Sequence, residues 1–406
     1  MMFWFSIGTL LGGSLIFFSR YARRPAGIQN DGIVFGQLTA RGVFGWILGV
    51  VFTGFYVVLY WFPQALEHLV RMFDSLSHAL RGRTADQWFL YSFFYTFAVI
   101  VMGVRAILRY RHVRYQIVRT ISVVFFQLGF AFLIPQLMQL LNEPELYFSY
   151  FWPLDYDLLW PSTISDLFSS SGRLGAFMVI WGAILTFIAT PVLTYFFGKR
   201  WYCSWVCGCG GLAETLGDPF RQLSSKSLTA WRVERWMVHG VLAFVVLSTA
   251  LLWLNAAFGG AILGGLSGSL SRTYGFAIGA VFSGVIGVGF YPLMGSRVWC
   301  RFGCPMAAIL GLLQKYFSRF RITTNGGQCI SCGNCSKYCE MGIDVRWYAQ
   351  RGQNIIRASC VGCGVCSAVC PRGVLKLENA PTTGRYNGPV LIDRDQVSVI
   401  TDEWPS

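Results

Sequence analysis

The sequence from Cys329 to Gly373 contains the same arrangement of cysteines twice. The first copy is CISCGNCSKYCEMG, residues 329–342, and the second is CVGCGVCSAVCPRG, residues 360–373. In each copy the gaps between cysteines follow the pattern C-x2-C-x2-C-x3-C. A zinc site normally uses two C-x2-C pairs separated by a longer spacer. Two tandem copies of a four-cysteine pattern therefore indicate a different kind of metal site.

This spacing is typical of a pair of [4Fe–4S] clusters. Three cysteines of one loop bind one cluster, and the fourth cysteine of each copy binds the other cluster. The sequence therefore predicts one cluster held by Cys329, Cys332, Cys335 and Cys370, and a second held by Cys360, Cys363, Cys366 and Cys339. The copies differ after the fourth cysteine, where Pro371 follows Cys370 but Glu340 follows Cys339. We expect this difference to loosen one turn without removing a ligand.

The composition of the chain is that of a membrane protein. Of its 406 residues, 54% are hydrophobic and 13% are charged, whereas about 25% of the residues in soluble domains are charged. A membrane-spanning helix needs about 20 apolar residues. We predict seven spans, at residues 2–19, 43–62, 88–104, 121–141, 175–197, 236–258 and 274–294. The expected fold is an all-α polytopic membrane protein of about seven transmembrane helices, with a small α+β bacterial-type 2[4Fe–4S] ferredoxin module near the C-terminus.

Lysine and arginine are distributed unevenly between the connections of these spans. Connections 20–42, 105–119 and 198–235 contain fifteen of them, whereas 63–87, 142–174 and 259–273 contain five. Basic connections stay in the cytoplasm, so we expect a multi-pass protein of the bacterial cytoplasmic membrane. Its N-terminal anchor would be uncleaved and begin outside, and its C-terminus and clusters would lie inside. Because the net charge of +14 follows from this bias, we expect no nucleic-acid partner.

The predicted organisation has five parts. They are an N-terminal transmembrane region at 1–141, an extracytoplasmic loop at 142–174, a repeated transmembrane region at 175–320, a cytoplasmic 2[4Fe–4S] ferredoxin domain at 321–380 and a tail at 381–406. The extracytoplasmic loop contains acidic residues and the aromatic run YFSYFWPLDYDLLW, residues 147–160. This run fits either an aromatic belt at the membrane interface or a docking surface for an extracytoplasmic partner.

The five cysteines outside the ferredoxin domain lie in and beside an internal repeat. GKRWYCSWVC (198–207) aligns with GSRVWCRFGC (295–304), which pairs Cys203 with Cys300 and Cys207 with Cys304. Cys209 has no counterpart and is an alternative to Cys207. Each copy follows a span that runs inward, so we expect all four thiols at the cytoplasmic face. A third metal centre, two redox-active dithiols and a structural role all remain open.

These motifs resemble those of membrane-bound polyferredoxins of the NosR, NapH and CcoG type. That family has paired C-x3-C-P motifs after membrane helices and a cytoplasmic double-[4Fe–4S] module. Cys300, Cys304 and Pro305 match the motif, whereas Gly208 replaces the proline after Cys207. The segments FFQLGFAFLIP and FWPLDYD are closest to the NosR branch. That branch carries a flavin domain before its first spans, where this chain has residues 1–19. The resemblance therefore does not carry flavin chemistry over to this chain, in which we recognise no flavin motif.

The resemblance implies relay of electrons between the quinone pool or a cytoplasmic donor and an extracytoplasmic metalloenzyme. The enzyme would be of the nitrous oxide or nitrate reductase type. The protein would either deliver electrons to this enzyme or support its maturation. A copper or other metal-ion reductase in oxidase assembly and a redox-sensing assembly scaffold remain open. No residues indicate a general acid–base pair or an activated nucleophile, so we expect an electron carrier rather than a substrate-specific enzyme. The expected partners are the lipid bilayer and the metalloenzyme or its electron-transfer partner.

The charge bias predicts the outcome of reporter fusions. A reporter that is active only in the periplasm should be active after Ser165 and silent after Arg111 or Ser406, because positively charged connections are retained inside. Enzyme activity of the three fusions in intact cells checks this. Activity of the fusion at Ser406 would place the clusters on the other side of the membrane.

Overall fold

The protein consists mainly of helices, with a small two-stranded sheet near the C-terminus. The computed structural model describes residues 2–22, 42–264, 266–379, 390–392 and 397–399. Most of the first predicted cytoplasmic connection, residues 23–41, and most of the predicted tail at 381–406 lie outside the described residues.

The N-terminal half forms the first group of membrane helices. Its helices are α1 (Met2–Ala22), α2 (Val43–Trp61), α3 (Glu67–Arg71), α4 (Asp74–Arg81), α5 (Gln87–Arg109), α6 (Arg114–Phe125) and α7 (Ile134–Leu140). A π-helical segment, Phe126–Leu133, joins α6 to α7. The short helices α3 and α4 lie between two long apolar helices, in the connection at 63–87.

The second group of helices carries the cysteine repeat. It comprises α8 (Pro161–Ile184), α9 (Thr190–Phe197), α10 (Arg200–Cys203), α11 (Gly208–Glu214), α12 (Leu228–Ala257), α13 (Leu266–Tyr274), α14 (Gly287–Gly289), α15 (Tyr291–Met294), α16 (Val298–Phe302) and α17 (Pro305–Tyr316). π-Helical segments at Leu185–Ala189 and Gly275–Ile286 join α8 to α9 and α13 to α14. Two of the π-helical segments precede a helix with proline at its second position, Pro135 in α7 and Pro191 in α9. Because proline lacks an N–H and crowds the carbonyl four residues earlier, a locally wider helix accommodates it.

Five continuous helices among the described residues are long and apolar enough to cross a membrane. They are Val43–Trp61, Gln87–Arg109, Arg114–Leu140, Pro161–Phe197 and Leu228–Ala257. These helices match the five predicted spans 43–62, 88–104, 121–141, 175–197 and 236–258. In three of these spans the last predicted residue lies one position beyond the end of the helix. The first predicted span falls in α1, whose apolar stretch Ser6–Ile16 is shorter, and the last falls in the interrupted helices after Leu266. The mostly helical fold with a small ferredoxin module is as predicted.

The aromatic run at 147–160 packs between helices. Phe151, Trp152 and Trp160 are buried, and three main-chain carbonyls of the run accept hydrogen bonds from membrane helices. Trp181 Nε1 donates to Phe148 O (2.9 Å), Thr186 Oγ1 to Trp152 O (3.0 Å) and Trp253 Nε1 to Leu159 O (2.8 Å). These bonds satisfy polar backbone that would be costly to bury alone. The run therefore packs within the protein, and its place at the membrane interface stays a prediction.

The loop predicted at 142–174 is also shorter than expected. α8 begins at Pro161, which suits the first position of a helix because that residue needs no N–H partner. The helix is kinked at Gly172, where φ is +51°. Hydropathy placed the start of the span at residue 175 because residues 161–174 are rich in serine. The acidic Glu143 and Glu145 remain exposed before the aromatic run.

The ferredoxin module follows α17 directly. β1 (Phe320–Thr324) and β2 (Leu375–Asn379) pair antiparallel, with Phe320 opposite Asn379 and Thr324 opposite Leu375. Between them lie three short helices, α18 (Asn334–Lys337), α19 (Val345–Gln350) and α20 (Val365–Ala368). β3 (Val390–Ile392) and β4 (Val397–Val399) form a second pair. The strands bring the two ends of the cysteine-rich stretch together.

Burial of the aromatic run generates a labelling prediction. Cysteine introduced as Ser149→Cys should react far more slowly with a membrane-impermeant maleimide than cysteine introduced as Glu143→Cys, because Ser149 is buried and Glu143 is exposed. The labelling rate of each variant in intact cells, after subtraction of the labelling of the parent protein, measures the difference. Equal labelling rates would show that the run is a surface loop.

Candidate iron–sulfur centres and the buried charge network

The first group of predicted ligands surrounds one small cavity. Cys329, Cys332, Cys335 and Cys370 all line it. Burial, together with the neighbouring thiols of Cys370, Cys332 and Cys329, raises the pKa of the Cys335 thiol to about 12. Cys332 is exposed, so this group lies on the solvent side of the module. The fourth cysteine of the second copy thus joins the first three of the first copy.

The second group is arranged in the same way but is more deeply buried. Burial raises the pKa of the Cys366 thiol, and Cys363, Cys360 and Cys339 add to the effect because they lie nearby. Tyr115 Oη donates to Gly362 O (3.0 Å) and Gln116 Nε2 donates to Cys363 O (2.9 Å). This group therefore lies against the N-terminal end of α6.

Both binding loops adopt left-handed backbone at equivalent positions. The residues two and four positions after the first cysteine have positive φ: Ser331 (+58°) and Gly333 (+78°) in one copy, and Gly362 (+64°) and Gly364 (+76°) in the other. Glycine reaches this conformation without strain. The repeated turn folds each loop around its thiols, which is the form of cradle that a cluster requires.

The repeat cysteines converge in a third group. The Cys304 thiol lies close enough to those of Cys300, Cys207 and Cys203 for their charges to interact, and the Cys209 thiol is hydrogen bonded to that of Cys207. All except the half-buried Cys209 are buried. Cys207 precedes α11 and Cys304 precedes α17 as their N-terminal caps, so each thiol sits where helix N–H groups favour negative charge.

The loop that carries Cys207 packs between the membrane helices and the ferredoxin module. Tyr95 Oη donates to Gly208 O (2.7 Å) and Gln127 Nε2 donates to Val206 O (2.7 Å). On the other side of the same loop, Ser204 Oγ donates to Val361 O (2.9 Å), next to Cys360. The repeat loops turn after Gly198 and Gly295, both of which have positive φ. The third group therefore lies next to the second, and its place at the cytoplasmic face stays a prediction.

A buried ion-pair network connects the second and third groups. Arg221 contacts Glu214 (2.8 Å) and Glu340 (2.9 Å), and Arg297 contacts the same two carboxylates at 2.7 and 3.1 Å. Beyond these ion pairs, Arg221 Nη1 lies 3.8 Å from Cys363 Sγ, and Arg297 Nη1 lies 3.6 Å from Cys300 Sγ. The network thus ends on a thiol of each group.

The same network has more positive than negative side chains. Its members are Arg105, Arg109, Arg119, Arg221 and Arg297, with the carboxylates Glu214, Asp218 and Glu340. Nε of Arg297 and Nε and Nη2 of Arg119 have no hydrogen-bond acceptor among the described residues. Buried charge is stable only when it is compensated. Clusters held by thiolates would supply that negative charge, so the network fits iron–sulfur centres on both of its sides.

Sequence reasoning did not identify these charged residues as part of the site. Glu340 was noted only because it replaces a proline. Arg297 was aligned with Arg200, but Arg200 instead lies over the Phe320 ring, 4.3 Å from its centroid. The repeat predicts the positions of the thiols and not the roles of their neighbours.

Comparison with known proteins agrees with the geometry. The 4Fe-4S binding domain matches residues 179–227 and 276–324, and the 4Fe-4S dicluster domain matches 321–371. The chain carries 4Fe–4S ferredoxin domains. Each match to the first domain contains one C-x3-C pair, and the dicluster match contains all eight ferredoxin cysteines. The prediction of [4Fe–4S] clusters is confirmed.

Curated ferredoxin-type proteins share part of the chain. YccM of Escherichia coli is 28% identical over 187 residues, which cover 40% of this chain and 47% of YccM. The methylamine utilization ferredoxin-type protein MauN of Methylobacillus flagellatus is 30% identical over 36% of this chain and 50% of MauN. The ferredoxin-type protein NapH of Escherichia coli is 26% identical over 42% of this chain and 56% of NapH. The chain thus spans about half the length of these relatives, and no solved structure matches. The resemblance to NapH is confirmed, and the closer resemblance to the NosR branch stays a prediction.

Charge removal should show how strongly the network supports the structure. Glu214→Gln leaves three buried arginines without their shared carboxylate, so we expect a loss of about 3–5 kcal/mol in the free energy of unfolding. Glu67→Gln is the matched control, because Glu67 pairs with Arg71 on the surface and should change stability by about 0.5 kcal/mol or less. Denaturant unfolding of both variants in detergent measures this. Equal stability of the two variants would contradict a structural role for the network.

Proposed function

We propose that the protein relays electrons between the inner side and the outer side of the cytoplasmic membrane through three iron–sulfur centres. The first two are held by the eight ferredoxin cysteines, with Cys339 and Cys370 exchanged between the loops. The third is held by Cys203, Cys207, Cys300 and Cys304. The observation that carries the proposal is that this third group lies between the membrane helices and the ferredoxin module and is joined to Cys363 by the charge network.

The three groups form a sequence of sites from solvent into the helices. The exposed Cys332 marks the solvent end, where a cytoplasmic donor would exchange electrons. The second group packs on the N-terminal end of α6, and the third lies next to it, since Ser204 donates to Val361 O and the charge network links Cys300 to Cys363. Electron transfer weakens steeply with distance, so a third centre among the helices shortens the remaining step across the bilayer.

The chain's own residues set the conditions for transfer. A bound [4Fe–4S] cluster supplies one-electron exchange at a potential set by charge, burial and hydrogen bonds to sulfur. Arg297 and Arg221 place positive charge and N–H donors beside Cys300 and Cys363, which favours the more reduced, more negative state. Buried aromatic and apolar residues, among them Tyr202 and Trp299, pack around the repeat thiols. No proton-transfer step is required of these residues.

The outer partner would meet the protein near the aromatic run. Tyr202, which precedes Cys203, donates its hydroxyl proton to Ser149 O (2.8 Å), so the run contacts the third group directly. The exposed Glu143 and Glu145 precede it on the outer side. This arrangement supports an extracytoplasmic metalloenzyme of the nitrous oxide or nitrate reductase type, or its electron-transfer partner, as the acceptor.

Replacement of one repeat cysteine tests the third centre. Parent protein should contain about twelve irons, and Cys300→Ser about eight, because the ferredoxin module keeps both of its clusters. In proteoliposomes loaded with a reduced viologen, Cys300→Ser should also stop reduction of an acceptor on the opposite side. Cys209→Ser is the matched control, and we expect it to retain iron and transfer. About eight irons in the parent protein, or full transfer in Cys300→Ser, would contradict the proposal.

A further inference from the structure

A large cavity on the inner side of the protein has no role in the relay described above. It has a volume of about 830 Å³ and lies between α12, α17 and the module residues 341–359. Its α12 wall is formed by Trp231, Arg235 and His239, which lie on one face of the helix because they are four residues apart. Cavities of this size accommodate cofactor-sized ligands.

The lining of this cavity is strongly basic. Two carboxylates line it, Glu234 and Asp344. Six cationic side chains also line it: Lys199, Lys226, Arg235, Arg301, Lys315 and Arg357. Glu234 is already paired with Arg301 at 2.7 Å, and Asp344 accepts a hydrogen bond from Ser336. Within the described ranges, Arg235, Lys315 and Arg357 have no carboxylate partner. The cavity therefore favours an anionic ligand with more than one negative charge.

The cavity also offers an aromatic surface next to these cations. The guanidinium carbons of Arg235 and Arg357 lie 5.0 and 5.1 Å from the ring centroid of Trp231. A ligand with a planar ring would stack on the indole of Trp231. A phosphate group on the same ligand would accept hydrogen bonds from the two guanidinium groups.

The residues at the bottom of the cavity show that it extends well below the protein surface. It includes Cys300 of the third group, with the small residues Ala307 and Ala308 beside it. Lys199, only 2% exposed, donates to Ala358 O (3.2 Å) on the same wall. The head group of an anionic lipid would need only the exposed cations Arg235 and Lys315. A ligand with a ring would also fill the deeper part of the cavity, beside Cys300.

We propose that this cavity binds a nucleotide, a ligand with a phosphate group and a planar aromatic ring. The phosphate lies among Arg235, Lys315 and Arg357, and the ring lies against Trp231 on the side of Cys300. Binding requires none of the iron–sulfur centres and is therefore tested separately from the proposed function. A ligand in this position is next to the third group from the cytoplasmic side.

Binding of flavin mononucleotide to the purified holoprotein in detergent tests the proposal, because its fluorescence is quenched when its ring stacks on an indole. Trp231→Leu and Arg357→Gln should each weaken binding about tenfold or more. The matched controls are Trp236→Leu and Arg232→Gln, on the same helix but outside the lining, and they should bind as the parent does. Riboflavin, which lacks the phosphate, should bind at least about tenfold more weakly. Iron content equal to that of the parent shows that each variant is folded.

Several results would overturn the proposal. They are the absence of flavin mononucleotide binding, equal binding of riboflavin, or equal loss in the control variants. Competition from nanodiscs of phosphatidylglycerol but not phosphatidylcholine, with no effect of Trp231→Leu, would instead identify a lipid head-group site.

Discussion

The uncompensated positive charge of the buried arginine network is the constraint on which the rest of the structure depends. Arg221 and Arg297 share Glu214 and Glu340, and carboxylates are too few to balance the arginines around them. Charge at this depth is costly unless an opposite charge lies nearby. Thiolates that hold clusters on both sides would satisfy that need. The network also joins the ferredoxin module to the membrane helices, because Arg221 and Arg297 of the helices both contact Glu340 of the module.

The organisation of the ferredoxin module was predictable from the sequence. Its cysteines are close in sequence, and the spacing dictates which three share a loop, so even the exchange of Cys339 and Cys370 follows from the pattern. The internal repeat also predicted that Cys203, Cys207, Cys300 and Cys304 approach one another. Hydropathy located five continuous helices because apolar length is a local property of the chain.

Side-chain partners were not predictable in the same way. The loop of Cys207 packs against Tyr95 and Gln127 through the carbonyls of Gly208 and Val206, and only long-range contacts show this. The run at 147–160 has the composition of an interfacial belt, yet its carbonyls find donors on Trp181, Thr186 and Trp253. Nothing local to Arg297 distinguishes it from Arg200, its aligned residue, although only Arg297 joins the network.

We propose that a third redox centre, held by Cys203, Cys207, Cys300 and Cys304, lies close to the centre held by Cys360, Cys363, Cys366 and Cys339. Electron paramagnetic resonance of the fully reduced parent protein tests it most directly, since neighbouring paramagnetic centres split and broaden each other's signals. The account predicts three reduced centres per chain, with coupling between the second and the third. Two centres per chain, with no signal beyond that of the ferredoxin module, would contradict it.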